Sequence, residues 1–275
     1  MEITHDHLQK PGWRRELIAI WGYAQRNYFL TRRYFLWEVV WLVYTIMNAL
    51  TIGFIGVGFG DATTTTFLLI GTMLWSYLSM IFDLLSETVS WERWEGTIEY
   101  TFMAPASRAT QLIGMGIYAV AYGLVRMVIM LGVISMLFEM DLDQANYWAA
   151  LSILAICSIS LVGFGMVAAV MPLLSPEKGQ QVTSIFTAVL LLVSGIYYEI
   201  DVLPGWMQPF ANISPVYYAL DGIRAALLQG ASFGSQWSNI WPLLIMGAIF
   251  PPLGLFLFQK GELYAKKTGL LKRSG

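Results

Sequence analysis

The chain has 275 residues, 57% of them hydrophobic and 12% charged, with a formal net charge of −2. Soluble domains run nearer ~45–50% apolar and ~25% charged, so an ordinary globular domain is excluded, and a disordered chain with it. A single cysteine, Cys157, excludes a disulfide scaffold, and the near-neutral balance leaves no electrostatic footprint for nucleic acid.

What remains is an all-α polytopic membrane protein. Residues 1–34 read as a cytoplasmic tail and an interfacial helix, 35–259 as the membrane domain and 260–275 as a basic cytoplasmic tail. No short apolar stretch with a small-residue cleavage site follows Met1, so a signal peptide is not expected. Trp13, Leu17, Ile20, Trp21, Ala24 and Tyr28 recur at helical spacing, with Arg14, Arg15 and Arg26 elsewhere on the wheel. That pattern predicts an amphipathic helix in the cytoplasmic headgroup layer.

Crossing the hydrocarbon takes ~20 mostly apolar helical residues. Six windows qualify: 35–58, 66–85, 111–138, 147–174, 182–197 and 240–258. No stretch alternates with period two over ~10 residues, which excludes a transmembrane barrel. Six Lys and Arg residues precede the first window (Lys10, Arg14, Arg15, Arg26, Arg32, Arg33) and five follow the last (Lys260, Lys266, Lys267, Lys272, Arg273). The loops 59–65 and 139–146 carry only acids, Asp61, Glu139, Asp141 and Asp143. Positive charge stays inside, so both termini are predicted cytoplasmic.

Ionisable residues at membrane depth are functional candidates by default. Glu38, Asp83 and Glu87 lie near the cytoplasmic ends of their spans and read as interface anchors or partners of Arg32 and Arg33. Arg126 lies well inside the third window and needs an acidic or carbonyl partner, with Glu199, Asp201 and Asp221 as candidates. Trp37, Trp41 and Tyr44 share one side of the first span. Facing a pore, such rings stack on sugars or flat drugs; facing lipid, they form a belt. No Gly-Lys dipeptide occurs, so this chain has no phosphate-cradling P-loop. The two histidines, His5 and His7, sit in the tail, and with one cysteine there is little from which to build a metal site.

Two segments between spans carry the most information. Residues 86–108 place Glu92, Glu95 and Glu99 at i, i+3, i+7, predicting one acidic helical stripe at the cytoplasmic surface beside Trp91 and Trp94, with Pro105 ending the segment. Residues 194–228 are apolar and aromatic, but Pro204, Pro209 and Pro215 cut them into pieces too short to span. Two short helices dipping in from the outer face fit, with Asp221 and Arg224 paired at i, i+3.

Both segments resemble the type 2 ABC exporter permeases, the membrane subunits of bacterial exporters of polysaccharides, lipids, drugs and antibiotics. Glu92, Arg93, Gly96, Thr97, Glu99, Pro105 and Arg108 match one motif of that family. Ser194, Gly195, Leu203, Pro204, Trp206, Asn212, Pro215, Tyr218, Ala219, Leu220, Asp221 and Arg224 match another, and the basic tail from Phe258 is similar to the family's end. The resemblance implies a transport subunit rather than an enzyme, working as a homodimer or with a sister permease in the bacterial plasma membrane. Two separate ATPase subunits would bind ATP and Mg, and this chain itself would hold no cofactor. The segment containing Glu95 would be the coupling helix, the amphipathic helix the connecting helix, and Leu203 to Arg224 an outer gate. Arg126, Trp37, Trp41 and Tyr44 are candidates for the translocation path. An ion-coupled secondary transporter using Arg126, Asp83 and Glu87 is the competing reading; it predicts matching discontinuous helices in two halves, and no internal repeat is visible.

Overall fold

The computed structural model of the chain describes residues 12–104, 106–138, 140, 142–175 and 178–271. Pro105, His5, His7, Lys10, Glu139, Asp141, Lys272 and Arg273 lie outside the described residues.

Helix α1 (Gly12–Arg33) runs into α2 (Phe35–Gly58) with only Tyr34 between them. The next helix, α3 (Ala62–Glu95), starts at Asp61, whose carboxylate accepts from the backbone N–H groups of Thr63 (3.2 Å) and Thr64 (3.0 Å). That N-cap, with the Thr64 hydroxyl as its largest contribution, holds the Asp61 carboxyl below its ordinary pKa. A short α4 (Ile98–Met103) leads to α5 (Arg108–Leu137), capped by Ser107. Asn146 caps α6 (Tyr147–Ala168), which continues past a break at Ala169 into α7 (Val170–Leu174). Then follow α8 (Gly179–Val193), two short helices α9 (Gln208–Ala211) and α10 (Pro215–Leu228), and α11 (Trp237–Thr268). Among the described residues there is no strand.

Five helical stretches are long and apolar enough to cross a membrane: Phe35–Gly58, Ala62–Glu95, Arg108–Leu137, Tyr147–Leu174 and Gly234–Thr268. The predicted span at 182–197 differs. It is the 15-residue α8, ~22 Å long against a hydrocarbon core of ~30 Å. It ends where Gly195 takes φ +68°, a turn that the apolar composition of the segment conceals.

The spanning windows of α3 and α6 are each 67% buried, whereas that of α2 is 17% buried, so α3 and α6 form the centre and α2 stands at the edge. Tyr77, Leu78, Ile81, Phe82 and Leu85 of α3 pack against Leu112 and Met115 of α5 and Ile153 and Leu161 of α6. The Tyr77 hydroxyl bonds the Ser158 hydroxyl at 2.6 Å across the α3–α6 contact. The helices α6 and α11 touch through glycines, as small residues allow in membrane bundles. A Cβ on Gly254 would stand 2.5 Å from the Gly163 carbonyl oxygen. The Ser160 hydroxyl donates to the Leu243 carbonyl (3.2 Å), and Gly261 meets Val170, so α6 and α11 run in the same direction. From α7 the chain therefore climbs the bundle again before α11 begins. The first part of that climb is α8, antiparallel to α3 through the Ser86–Thr183 bond (2.9 Å) and Phe82 against Phe186. Residues 194–214 form a loop whose two ends lie side by side, and α10 completes the climb, from Pro215 beside Cys157 to Ala226, whose carbonyl accepts from the Asn146 N–H at the start of α6 (2.9 Å).

Candidate functional site

The end of the bundle at which α3 stops and α5 begins is built on interhelical charge contacts. Gly96 takes φ +73° and ends α3, its N–H bonding back to the Arg93 carbonyl while the Thr97 N–H reaches the Glu92 carbonyl (2.9 Å). This turn overturns the expected continuous acidic stripe. Gly96 takes Glu99 out of the α3 register, and within α3 itself Glu92 faces α1 and is buried while Glu95, like Glu99, is exposed. Only 1% exposed, Glu92 is paired with Arg26 of α1. Arg93 is buried at the same turn, its Nε without a hydrogen-bond partner among the described residues. Burial first, and then the Glu92 charge, raise the Tyr23 phenol of α1 above its ordinary pKa.

Two more contacts fix this end. The Glu16 carboxylate of α1 accepts from the Thr110 hydroxyl and from the Ser107 hydroxyl (3.3 Å). Arg108 donates through Nε to Glu262 of α11 (2.9 Å), and through its two terminal nitrogens to the carbonyls of Thr101 (3.1 Å) and Phe102 (2.7 Å). What faces outward from the turn is Trp94, Glu95, Glu99, Tyr100 and Met103. Trp91 packs edge-on against Trp94 and donates its indole N–H to Glu87 (3.1 Å).

At membrane depth, Arg126 meets none of the outer acids proposed for it. It lies 3.9 Å from Glu38 of α2, donates to the Thr45 hydroxyl (3.2 Å) and touches the Met80 sulfur (3.5 Å). Tyr122, one turn below, donates to Glu38 at 2.5 Å. Helix α2 rises alongside α5, which brings Glu38 to Arg126, a proximity that residue counting along separate spans does not reveal. Glu38 is thus no partner of Arg32 or Arg33. Asp83 and Glu87 are not among the contacts of Arg126. Trp37, Trp41 and Tyr44 form an edge-to-face ladder (6.2 and 5.7 Å) on an exposed side of α2, away from the side that carries Glu38 and Thr45. The same side continues through Asn48 and Thr51, both exposed.

In the outer segment, Arg224 and Asp221 do not pair. Asp221 accepts from the Asn239 amide (2.7 Å). The Arg224 guanidinium instead donates to the carbonyls of Gly195 (3.0 Å), Ile196 (2.7 Å) and Phe67 (3.2 Å) and lies over the Phe67 ring. It thereby satisfies backbone groups left open where α8 stops, the condition for irregular backbone at membrane depth. The Ser194 and Ser214 hydroxyls bond each other at 2.7 Å, closing the segment on itself. Leu203 and Pro215 are buried, Pro204 and Trp206 exposed, and the Tyr218 hydroxyl donates to the Asn212 carbonyl (3.2 Å). A polar cavity of about 400 Å³ opens here, lined by Tyr198, Glu199, Asp201, Tyr217, Asp221 and Arg224. An apolar groove of about 640 Å³ runs between α5 and α6, floored by Tyr77.

Residues 15–228 match the family profile of the ABC-2 type transporters. The probable multidrug ABC transporter permease YbhR of Escherichia coli K12 is 24% identical over 179 residues, 64% of this chain and 47% of that protein. The linearmycin resistance permease protein LnrN of Bacillus subtilis is 26% identical over 114 residues, 42% of this chain and 29% of that one. The chain thus spans about half the length of the first of these relatives that it matches, and less of the second.

Proposed function

The chain belongs to the ABC-2 type transporter family, and from that premise we propose that it is the membrane permease of an ATP-driven exporter. Family membership implies an ABC ATPase as partner. In our reading two ATPase copies dock below a permease homodimer, ATP and Mg are bound there, and this chain performs no hydrolysis itself. Its cargo is an amphiphile of the lipid or drug class, as the name multidrug permease suggests for one relative. The membrane is the bacterial plasma membrane, crossed six times with both termini inside. That count rests on the shared direction of α6 and α11, which requires a return passage, with α8 and then α10 as its path.

The observation that carries the reading is the cytoplasmic turn. It presents Trp94, Glu95, Glu99, Tyr100 and Met103 outward while the ion pairs behind it tie α3, α1, α5 and α11 together. A protein pressing there moves several membrane helices at once. It drives transport only if it binds one arrangement of them better than another. Side by side in two copies, the exposed α2 side with Trp41, Tyr44, Asn48 and Thr51 would border a path between the permeases.

The test is co-expression with the genes adjacent to its own, purification of the chain with whatever ABC ATPase it retains, and assay of ATP hydrolysis. Glu95→Lys with Glu99→Lys should cut ATPase capture about tenfold, the effect of ~1.4 kcal/mol, with thermal stability unchanged. Glu92→Lys should instead lower thermal stability, because it places a second cation against Arg26. Undiminished capture by the Glu95/Glu99 variant would remove the turn from the docking surface. A wild-type chain that captures no ATPase would remove the exporter reading.

A further inference from the structure

Arginine is an unfavourable first residue for a helix, since its charge faces the positive end of the helix dipole. Arg108 nevertheless opens α5, and its three hydrogen bonds explain why. Two go backward to the Thr101 and Phe102 carbonyls, in the last turn of α4, where a cation is favourable. The third goes to Glu262. Glu262 is 6% exposed, a buried carboxylate on the cytoplasmic extension of α11, and it also accepts from Lys266 at 2.6 Å. Both cations flank the same ring. The Arg108 guanidinium lies 4.5 Å from the Phe102 centroid and the Lys266 ammonium 5.3 Å. Phe102 and the last turn of α4 are thus clasped between the start of α5 and the end of the last helix. Buried charges are costly unless paired and hydrogen-bonded, and this group is fully paired across 154 residues of sequence.

We propose that Glu262 is a positioning residue for coupling: the end of α11, through Glu262 and Lys266 acting on Arg108 and Phe102, sets the pose in which α4 is presented to the ATPase. The inference rests on the docking role given above to residues 94–103 and goes beyond it, since it assigns control of that surface to the opposite end of the chain. Glu262 touches no docking partner itself. Its effect passes through Arg108, the only residue that bonds both α4 and α11 among the described contacts of α4. A push on α4 is correspondingly delivered to α11, and along the glycine seam to α6.

The experiment compares wild type, Glu262→Gln and Lys266→Gln as full-length chains in nanodiscs, alone and with the ABC ATPase retained on co-purification. Hydrogen exchange of the amides of Ile98–Met103 is measured against that of Tyr147–Ala168, and ATP turnover is measured against ATPase bound. Glu262→Gln should speed exchange in α4 at least tenfold, leave α6 unchanged, and lower turnover per bound ATPase with capture largely retained. Lys266→Gln, more exposed and safe for folding, should move both readouts the same way by about threefold. Unchanged α4 exchange in folded Glu262→Gln overturns the proposal, and if that variant does not fold, unchanged α4 exchange in Lys266→Gln overturns it. Loss of α6 protection together with α4 also overturns it, since Glu262 would then support the whole bundle. A wild-type chain that binds no ATPase defeats the exporter reading instead, and the exchange data still decide whether Glu262 holds α4.

Discussion

Arg126 and Arg224 both sit among membrane helices, and the difference between their partners separates two kinds of buried cation. Arg224 spends its donors on three backbone carbonyls and serves as a local cap for a broken segment. Arg126 has one hydroxyl, one sulfur and a carboxylate at 3.9 Å, a looser set that joins α5 to α2 and α3. Replacing Arg126 by Leu strands Glu38 with only the Tyr122 hydroxyl. Because side-chain exposures are 12% and 24%, the loss should approach the lower end of the ~3–5 kcal/mol for a broken buried pair. Thermal unfolding in detergent of Arg126→Leu, Glu38→Gln and the double variant measures it. A coupling of ~1–2 kcal/mol is expected, and additive losses would show that the two groups do not interact. That Arg126 needs a partner was legible from its position alone. Which partner was not, because the choice depends on how far α2 rises along α5. Glu92 carries the same lesson. Its residue type and spacing read as a solvated stripe, but α1 lies against that face of α3 and brings Arg26 to it.

At the scale of elements, apolar periodicity revealed every long helix, and their ends followed the cap residues Asp61, Ser107 and Asn146. The helix it misjudged is α8, where the apolar window runs to Tyr197 while the helix stops at Val193. What sets that end is tertiary: α3 presents Gly71, and the Ile196 carbonyl and Arg224 occupy the space of the missing side chain. Gly71→Ala puts a Cβ 2.8 Å from the Arg224 guanidinium and closer still to the Ile196 carbonyl, so the outer segment must shift. A loss of ~1–3 kcal/mol is expected, as for overpacking. Gly132→Ala is the counterpart, since nothing stands within 4 Å of its Cβ. It should stabilise α5 by up to ~1 kcal/mol through helix propensity. Equal unfolding temperatures for the two alanine variants would mean that α3 and the outer segment are not in contact as described.

For the whole molecule, the number of membrane passages decides the proposed docking, which requires the turn at Gly96 and the end of α11 to share one side. The glycine seam makes α6 and α11 parallel, so the intervening residues must change sides. A helix of ~22 Å cannot do this alone. In the proposed topology its deficit is made up by α10, which climbs beside α6 from Pro215 to Ala226, while Arg224 satisfies the Gly195 and Ile196 carbonyls between the two helices; six apolar windows and five long helices then describe one chain. The native Cys157 is fully buried and gives a silent background for thiol labelling. Single cysteines at Phe59, Trp206 and Ser232 should react with an impermeant maleimide on sealed right-side-out vesicles. Cysteines at Lys178 and Thr268 should react only after lysis. Lys178→Cys and Trp206→Cys reacting from the same side would make α8 one arm of a hairpin. In that case α11 would have to run against α6, and Gly163 and Gly254 would lose the close approach that holds the two helices together.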